Sequence, residues 1–369
     1  MFYVLGDFLL YISIALVIGL LFLNLVPEDR KPKVMVTKKQ LTWLIAAVVF
    51  FSAFPVVNLI IYFVTELKYD VGFVTYRVLR DYNVGHGWIM TVIFALLLGS
   101  LVYQRIETKH ERLAAVIQLV LSIGMLAGVG YASHSAGLYG YKGFATHSIH
   151  LLGVSLWLGI LMAVSWFTRG SDNWKRWLAW MSPLAVTCFV VTVASGIVVM
   201  LYLSDNYVEG LVVPFGQALL IKHALLLPLI ALAITNGFGL RRRLMKEPGF
   251  NPLTWLRMES VLALTVFFGT AYLSQQAPPH DLNETLANGE VSVSNLWSFF
   301  NGQDLAANAQ ITFQFSALGI VFSLLAIVMA TLGIGIMIKR RELWFSFNLL
   351  LCSALSLYLA AMLSVHSVT

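Results

Sequence analysis

Apolar residues occur in runs of about 20 along most of this chain, separated by short polar segments. At a rise of about 1.5 Å per residue, a helix of that length crosses the roughly 30 Å apolar core of a bilayer. The pattern predicts an all-α fold, a polytopic transmembrane helical bundle of about ten helices (eight to ten). The predicted spans are, in chain order, Phe2–Leu25, Leu41–Thr65, Gly85–Tyr103, Leu113–Ala132, Thr146–Phe167, Leu178–Leu203, Gly216–Leu240, Glu259–Gln275, Ile311–Ile338 and Leu343–Ser364.

The spans are grouped into three predicted parts. Residues 1–275 form a core of eight helices, residues 276–310 form a long loop without Lys or Arg, and residues 311–369 add two further helices. Pro55 lies inside the second span and predicts a kink, because proline lacks a backbone N–H and clashes with the preceding turn. The first span has no charged segment before it and is expected to be retained.

Basic residues are distributed unequally between the two sides of this bundle. Nineteen of the 24 Lys and Arg residues fall in the loops of one side, including the cluster Arg241, Arg242 and Arg243. Short cytoplasmic loops carry an excess of Lys and Arg. Both chain termini and the 276–310 loop are therefore expected to be extracytoplasmic.

The amino-acid composition agrees with an integral membrane protein. The chain of 369 residues is 59% hydrophobic and 11% charged, whereas a soluble domain carries about 25% charged residues. The net charge of +6 comes from short loops between spans, so nucleic-acid binding is not expected. Membrane lipid is the expected surrounding, and a multi-pass protein of the cytoplasmic membrane is predicted; no oligomeric state is indicated.

Seven of the eight histidines fall on the predicted outer side. Three of them lie in the stretch Tyr131–Trp157, which is predicted to be a Gly-rich outer turn followed by a helix. His147 and His150 are three residues apart and share a helical face. His134 precedes them in the turn.

Depth along the helices brings two further histidines to the same level. His86, His150 and His223 each precede a basic residue of the inner boundary by 18 or 19 positions, which is about 27 Å of helix. Ionisable groups inside a span are costly and usually face the bundle interior. The sequence therefore predicts an outer metal site with these candidate ligands: His134, His147, His150, His86 and His223.

Sulfur-containing residues accompany the histidines. Imidazole binds copper and zinc, and thioether favours Cu(I), so copper is predicted ahead of zinc. The alternative is a purely structural role, in which these sulfur-containing side chains only pack against their neighbours. The candidates for an inward path are Met90, Met125, Met162, Cys188 and Met200. No catalytic residue is predicted, and a transporter or metal-binding protein is favoured over an enzyme.

Three segments resemble the CopD copper-resistance family, which includes the membrane part of YcnJ-type copper importers. Thr146–Val164 resembles the family's signature helix, with a His near its start and a W-x-G step at Trp157 and Gly159. Gly216–Leu244 and Leu256–Pro279 resemble two later segments. The resemblance covers about residues 85–279 and implies copper uptake through the cytoplasmic membrane. It also implies a separate extracytoplasmic CopC-like copper-binding protein as partner.

Two other functions remain open at this level. One is a b-type haem protein, a quinone-linked electron carrier or outer-face metal reductase, with His150 and His223 as axial ligands. No histidine lies in the inner half of the predicted spans to hold a second haem. The other is a sensor or assembly factor that binds copper without moving it.

Overall fold

The computed structural model describes residues 1–104, 110–170, 172–203, 206–247, 249–277, 286, 292–302, 310–339 and 342–368. The predicted fold class is confirmed: within these ranges ten helices are long and apolar enough to cross a membrane. The side on which the termini lie stays a prediction.

The chain separates into two compact units, residues 1–202 and 203–369. The predicted division at residues 275 and 310 stays a prediction. The helices of the first unit are α1 (Phe2–Leu25), α2 (Lys38–Ser52), α3 (Phe54–Thr65), α4 (Val71–Asp81), α5 (Asn83–Tyr103), α6 (Glu111–Tyr131), α7 (His134–Phe167) and α8 (Trp174–Leu203).

The second unit is also helical, with one small sheet. Its helices are α9 (Tyr207–Gly210), α10 (Pro214–Ile234), a π-helical segment (Thr235–Leu240), α11 (Arg241–Lys246), α12 (Leu253–Ser274), α13 (Asn295–Asn301), α14 (Ala317–Lys339) and α15 (Leu343–Met362). Strand β1 (Gln310–Phe313) pairs antiparallel with β2 (Val365–Val368).

The core of the first unit lies between α1, α2, α5 and α6. Van der Waals packing of apolar side chains holds these helices together, because lipid provides no hydrophobic driving force between them. The fully buried members include Val17, Ile18, Leu21, Val48, Leu98 and Met125.

Two glycines allow α1 and α7 to approach closely. A Cβ added to Gly19 would overlap the backbone of Gly159, and one added to Gly159 would overlap the carbonyl group of Ala15. Beyond the ends of the same two helices, the Met35 N–H donates to the Phe167 oxygen at 2.9 Å. The two helices therefore run parallel and are held at fixed register.

The basic loop after α1 is folded onto the start of α8. Lys31 is buried, donates from Nζ to the Leu23 carbonyl oxygen at 2.7 Å and pairs with Glu28 at 2.8 Å. Arg176 of α8 pairs with Asp29 at 3.0 Å. Lys31, one of the basic residues that predict the orientation of the bundle in the membrane, thus also caps the end of α1.

The predicted second span is interrupted two residues before Pro55. Helix α2 ends at Ser52, and α3 begins at Phe54 with Pro55 in its first turn. A proline is tolerated there because the N–H groups of a first helical turn have no intrahelical acceptor. The predicted kink is observed as a helix break.

Helix α4 was not predicted from the sequence. Asp70 caps it by accepting the Phe73 N–H at 2.9 Å. Val74 and Val78 are buried on one face, whereas Phe73 and Tyr76 are exposed on the other. A short amphipathic helix lacks the long apolar run by which membrane spans are found.

The predicted Gly-rich turn before His147 is wrong. Helix α7 begins at His134 rather than Thr146 and bends at Gly140, whose φ of 55° and ψ of −132° are not helical. Glycine adopts a positive φ without steric penalty, so the helix continues on both sides of the bend.

The predicted ninth span also begins too early. Ile311 belongs to strand β1, and the helix starts only at Ala317. Polar and apolar residues alternate from Gln310 to Phe313, a period of two that favours a strand. The tenth span ends at Met362 instead of Ser364 because the chain then enters β2.

Polar contacts hold α10 against α15 in the second unit. The Tyr358 hydroxyl donates to Gln217 Oε1 at 2.8 Å, and Gln217 Nε2 donates to the Leu211 carbonyl oxygen. Gln217 is buried. Polar groups in an apolar medium need such partners, since an unsatisfied one costs several kcal/mol.

Replacing Gly159 by Ala should lower the thermal unfolding midpoint of the purified protein in detergent. We expect the free energy of unfolding to fall by about 1–3 kcal/mol, the usual cost of overpacking. Gly99→Ala is the matched control, because a Cβ added at Gly99 on α5 meets no atom within 4 Å. Equal midpoints for the two variants would contradict the close approach of α1 and α7.

Candidate metal site

His147 and His150 lie one turn apart on the same continuous part of α7. Both side chains are half-buried. His134 is in the first turn of this helix and is exposed; Ser133 caps the turn by accepting the Ala136 N–H at 3.3 Å. The bend at Gly140 separates His134 from the other two, so these three residues belong to two helical segments.

His150 is held by the neighbouring helix α8. Its Nδ1 lies 2.9 Å from the carbonyl oxygen of Thr192. A carbonyl oxygen only accepts, so Nδ1 carries the hydrogen and Nε2 carries the ring's lone pair. Metal-binding histidines are usually oriented in this way, by donating from the nitrogen that does not bind the metal.

A glycine on α8 makes room for the His150 ring. A Cβ added to Gly196 would lie 3.1 Å from Cε1 and 3.2 Å from Nδ1 of His150. One turn along α7, a Cβ added to Gly153 would lie 2.7 Å from Thr192 Oγ1 and 3.2 Å from the Cys188 oxygen. Small residues on both helices therefore set the distance at which the imidazole meets α8.

Thr192 Oγ1 on α8 is buried near this contact and has no hydrogen-bond partner among the described residues. Ser148 Oγ on α7 is also buried without such a partner, but it faces Gly130 of α6. Ser195, by contrast, donates to the Val191 oxygen at 2.6 Å and lies 3.4 Å from His150 Nδ1. Buried polar atoms that lack partners are uncommon in native proteins. Thr192 and Ser195 make this part of the α7–α8 contact polar in an otherwise apolar helix pair.

His86 lies on α5 and is not part of the α7–α8 contact. Its Nε2 donates to the Arg80 carbonyl oxygen, so Nδ1 carries the lone pair. With Met90, one turn on, it lines an apolar cavity of about 300 Å³ together with Ile89, Ile93 and Phe94. An imidazole and a thioether sulfur therefore lie on one face of α5.

His223 belongs to the second unit. Its Nδ1 lies 3.0 Å from the hydroxyl of Tyr207, and the two rings stack with centroids 5.7 Å apart. Burial raises the pKa of the Tyr207 phenol to about 12, so this residue keeps its proton at neutral pH. The shared layer of His223 with His86 and His150 stays a prediction.

The sulfur-containing path candidates all lie in the first unit. Met125, Met162 and Cys188 are buried, whereas Met90 and Met200 are half-buried. Cys188 precedes Thr192 by four residues on α8, which is about 6 Å or one helical turn. Its thiol is therefore one turn from the level of the His150 contact.

Within the described ranges, no three His, Cys, Asp or Glu side chains converge closely enough to hold a metal ion. The five predicted histidine ligands thus do not form one closed site there, and their assignment as ligands stays a prediction. Of the remaining histidines on the predicted outer side, His280 lies outside the described residues. So do Asp205, Asp281 and Glu284, acidic residues expected to attract a cation to the same side. His366 is exposed in β2, opposite Thr312.

One buried polar pair was missed by the sequence analysis. Asn236 Nδ2 donates to Glu259 Oε2 at 2.6 Å, and both side chains are buried. The predicted eighth span began at Glu259 and placed it at the membrane boundary. Helix α12 begins at Leu253, six residues earlier. An acidic residue between Met258 and Val261 was the available signal.

These features define a multi-pass helical membrane protein with polar, nitrogen-containing contacts near one end of its α7–α8 pair. Residues 175–273 match the family model of copper resistance protein D, CopD. The chain is also 25% identical over 170 residues to the inner membrane protein YebZ of Escherichia coli (strain K12). That alignment covers 43% of this chain and 56% of the relative, just over half of its length.

No solved structure matches the chain significantly. The resemblance to the CopD family that the sequence predicts is confirmed over residues 175–273. This match supports a role in the membrane that is connected with copper.

Nitrogen-15 NMR of the histidine side chains tests the His150 contact. At alkaline pH we expect the His150 ring in the Nδ1–H tautomer, assigned by loss of its signals in His150→Gln. Gly196→Ala should shift these signals because the added methyl group presses on the ring, whereas Gly99→Ala should leave them in place. An Nε2–H tautomer would contradict the hydrogen bond to Thr192.

Proposed function

We propose that this chain binds copper ions beside the α7–α8 pair and moves them through the cytoplasmic membrane, with His147 and His150 as the first ligands. One observation carries the proposal. The segment that matches the CopD family, residues 175–273, contains Thr192, whose carbonyl oxygen orients His150. The cytoplasmic membrane is proposed because the relative YebZ is an inner membrane protein.

The chemistry of the nitrogen donors fits copper. His150 presents its lone pair on Nε2 and is oriented through Nδ1, and His147 lies one turn away on the same face. Imidazole is a good ligand for copper in either oxidation state. His134 and His86 are proposed as further ligands that copper meets on entry or that complete its coordination. His223 of the second unit is proposed as a separate copper ligand.

An incomplete set of ligands suits a transported ion. Conduction requires binding that is favourable enough for entry and weak enough for release. Two imidazoles with hydroxyl neighbours meet that requirement better than a closed four-ligand cage, which would retain the ion. Copper is therefore the cargo here rather than a resident cofactor.

Sulfur residues provide the next contacts along the proposed path. The Cys188 thiol lies one turn from Thr192, and Met162 follows His150 by twelve residues on α7, about 18 Å. Thiolate and thioether ligands favour Cu(I) over harder cations. Met125 lies buried on α6, Met90 accompanies His86, and Met200 lies toward the carboxyl end of α8.

Uptake toward the cytoplasm follows from the predicted orientation. With the histidines outside, the membrane potential favours entry of a cation by about 2.3 kcal/mol per charge per 100 mV. A separate CopC-like copper-binding protein on the outer side is proposed as the donor. The membrane potential would drive this entry without nucleotide hydrolysis.

Copper uptake into proteoliposomes tests the proposal. The double variant His147→Ala/His150→Ala should slow uptake about 10- to 100-fold, the usual cost of disturbing a metal's ligands or their immediate support. His110→Ala is the matched control, because His110 precedes α6 and lies outside α7 and α8. Unchanged uptake in the double variant would contradict the proposed ligands.

Two further readouts separate the alternatives. Copper binding without uptake in the wild type would favour a sensor or assembly factor. A Soret band at stoichiometric haem, lost in His150→Ala or His223→Ala, would favour the electron carrier or metal reductase. Copper without haem, together with uptake, is the outcome that the proposal predicts.

A further inference from the structure

The second unit contains a carboxyl group deep in its helix packing. Glu259 on α12 is 4% exposed and Asn236 of the π-helical segment is 2% exposed. Asn236 Nδ2 donates to Glu259 Oε2 at 2.6 Å and to the Trp255 carbonyl oxygen at 3.3 Å. These two contacts use both hydrogens of the amide.

The oxygen of the same amide has no comparable contact. Asn236 Oδ1 is buried and has no hydrogen-bond partner in the part of the chain that the structure describes. An unpartnered buried acceptor costs free energy. It therefore points to a hydrogen-bond donor that this site receives in another state.

In the ranges that the structure describes, no basic side chain pairs with the Glu259 carboxyl group. Within the described residues its polar contact is with Asn236 alone. A single amide donor compensates poorly for the transfer of a carboxylate out of water. Charged groups on the elements packed around the pair are Arg257, exposed on α12, and Arg243, whose guanidinium lies 4.4 Å from the Trp255 ring centroid. Four exposed basic residues lie on the other elements that contact the π-helical segment, Arg241, Arg242 and Lys246 on α11 and Lys339 on α14. Lys222 and His223 lie toward the other end of α10.

We propose that Glu259 is a proton-binding site inside the membrane-spanning bundle, with Asn236 as the residue that stabilises both of its forms. As a carboxylate it accepts from Asn236 Nδ2, which lies 2.6 Å from Oε2 in the structure. When a proton from the aqueous phase binds, the new O–H donates to Oδ1 after the amide turns over. The proton is the only species gained or lost.

A proton fits this site better than a metal ion. Glutamate and amide oxygens are hard ligands, unsuited to Cu(I). Hard cations such as Ca²⁺ take six to eight oxygen ligands, and Mg²⁺ takes six. Here the amide directs its two N–H groups at the Glu259 and Trp255 oxygens. A metal ion would have to displace them, whereas one proton needs one acceptor.

The place of the pair in the helix also favours exchange with water. Asn236 lies in a π-helical segment, a feature found often at functional sites. It precedes Arg241 by five residues, about 7.5 Å of helix, so the predicted cytoplasmic boundary is near. The inference stands apart from copper uptake, because it concerns the second unit and its test contains no copper.

Infrared spectroscopy of the protein in lipid, recorded between acidic and alkaline pH, tests this assignment. We expect a stretching band of a protonated carboxyl group that grows as pH falls, is absent in Glu259→Gln and is unchanged in Glu66→Gln, a control at the exposed end of α3. Labelling the wild type with carbon-13 glutamate should shift the band, which identifies it without any variant.

Asn236→Ala supplies the second readout. A hydrogen bond to a charged group is stronger than one between neutral groups, so loss of the amide should destabilise the carboxylate more than the protonated form. The midpoint of the band should therefore rise by about one pH unit. A band that is absent at every pH, or present without titrating, would overturn the proposal. So would a midpoint lowered by added NaCl or MgCl₂, which would assign the site to a metal cation.

Discussion

The hydrogen bond from His150 to the carbonyl oxygen of Thr192 is the contact on which the candidate site depends. It joins α7 to α8, fixes the ring nitrogen that carries the lone pair, and exists because Gly196 leaves space for the ring. The close approach of Gly19 and Gly159 fixes α7 on its opposite side, against α1. In lipid, an imidazole that is not held in place would form hydrogen bonds with other polar groups. A metal-binding histidine there therefore needs supporting contacts that fix its orientation.

The two polar sites in the chain have different chemistry. The α7–α8 contact offers imidazole nitrogen, with a thiol one turn away, and suits a soft or borderline metal. The Glu259–Asn236 pair of the second unit offers oxygen atoms and suits a proton.

The sequence predicted the spans well where a long apolar run decided the structure, as in Phe2–Leu25. It failed where local geometry decided: the glycines before His147 permit a bent helix, and α4 is too short and amphipathic to resemble a span. Depth along the helix makes His150 a candidate ligand, and that assignment stays a prediction. Its hydrogen-bond partner Thr192 is 42 residues away, a tertiary contact that no periodicity contains. Glu259 was missed because the predicted helix boundary fell on it.

X-ray absorption spectroscopy of the copper-loaded protein tests the central claim most directly, that copper is held by histidine on α7. We predict imidazole scattering in the wild type, reduced in His150→Ala, with unchanged scattering in His110→Ala. A copper spectrum without imidazole, or one identical in the wild type and His150→Ala, would contradict the account.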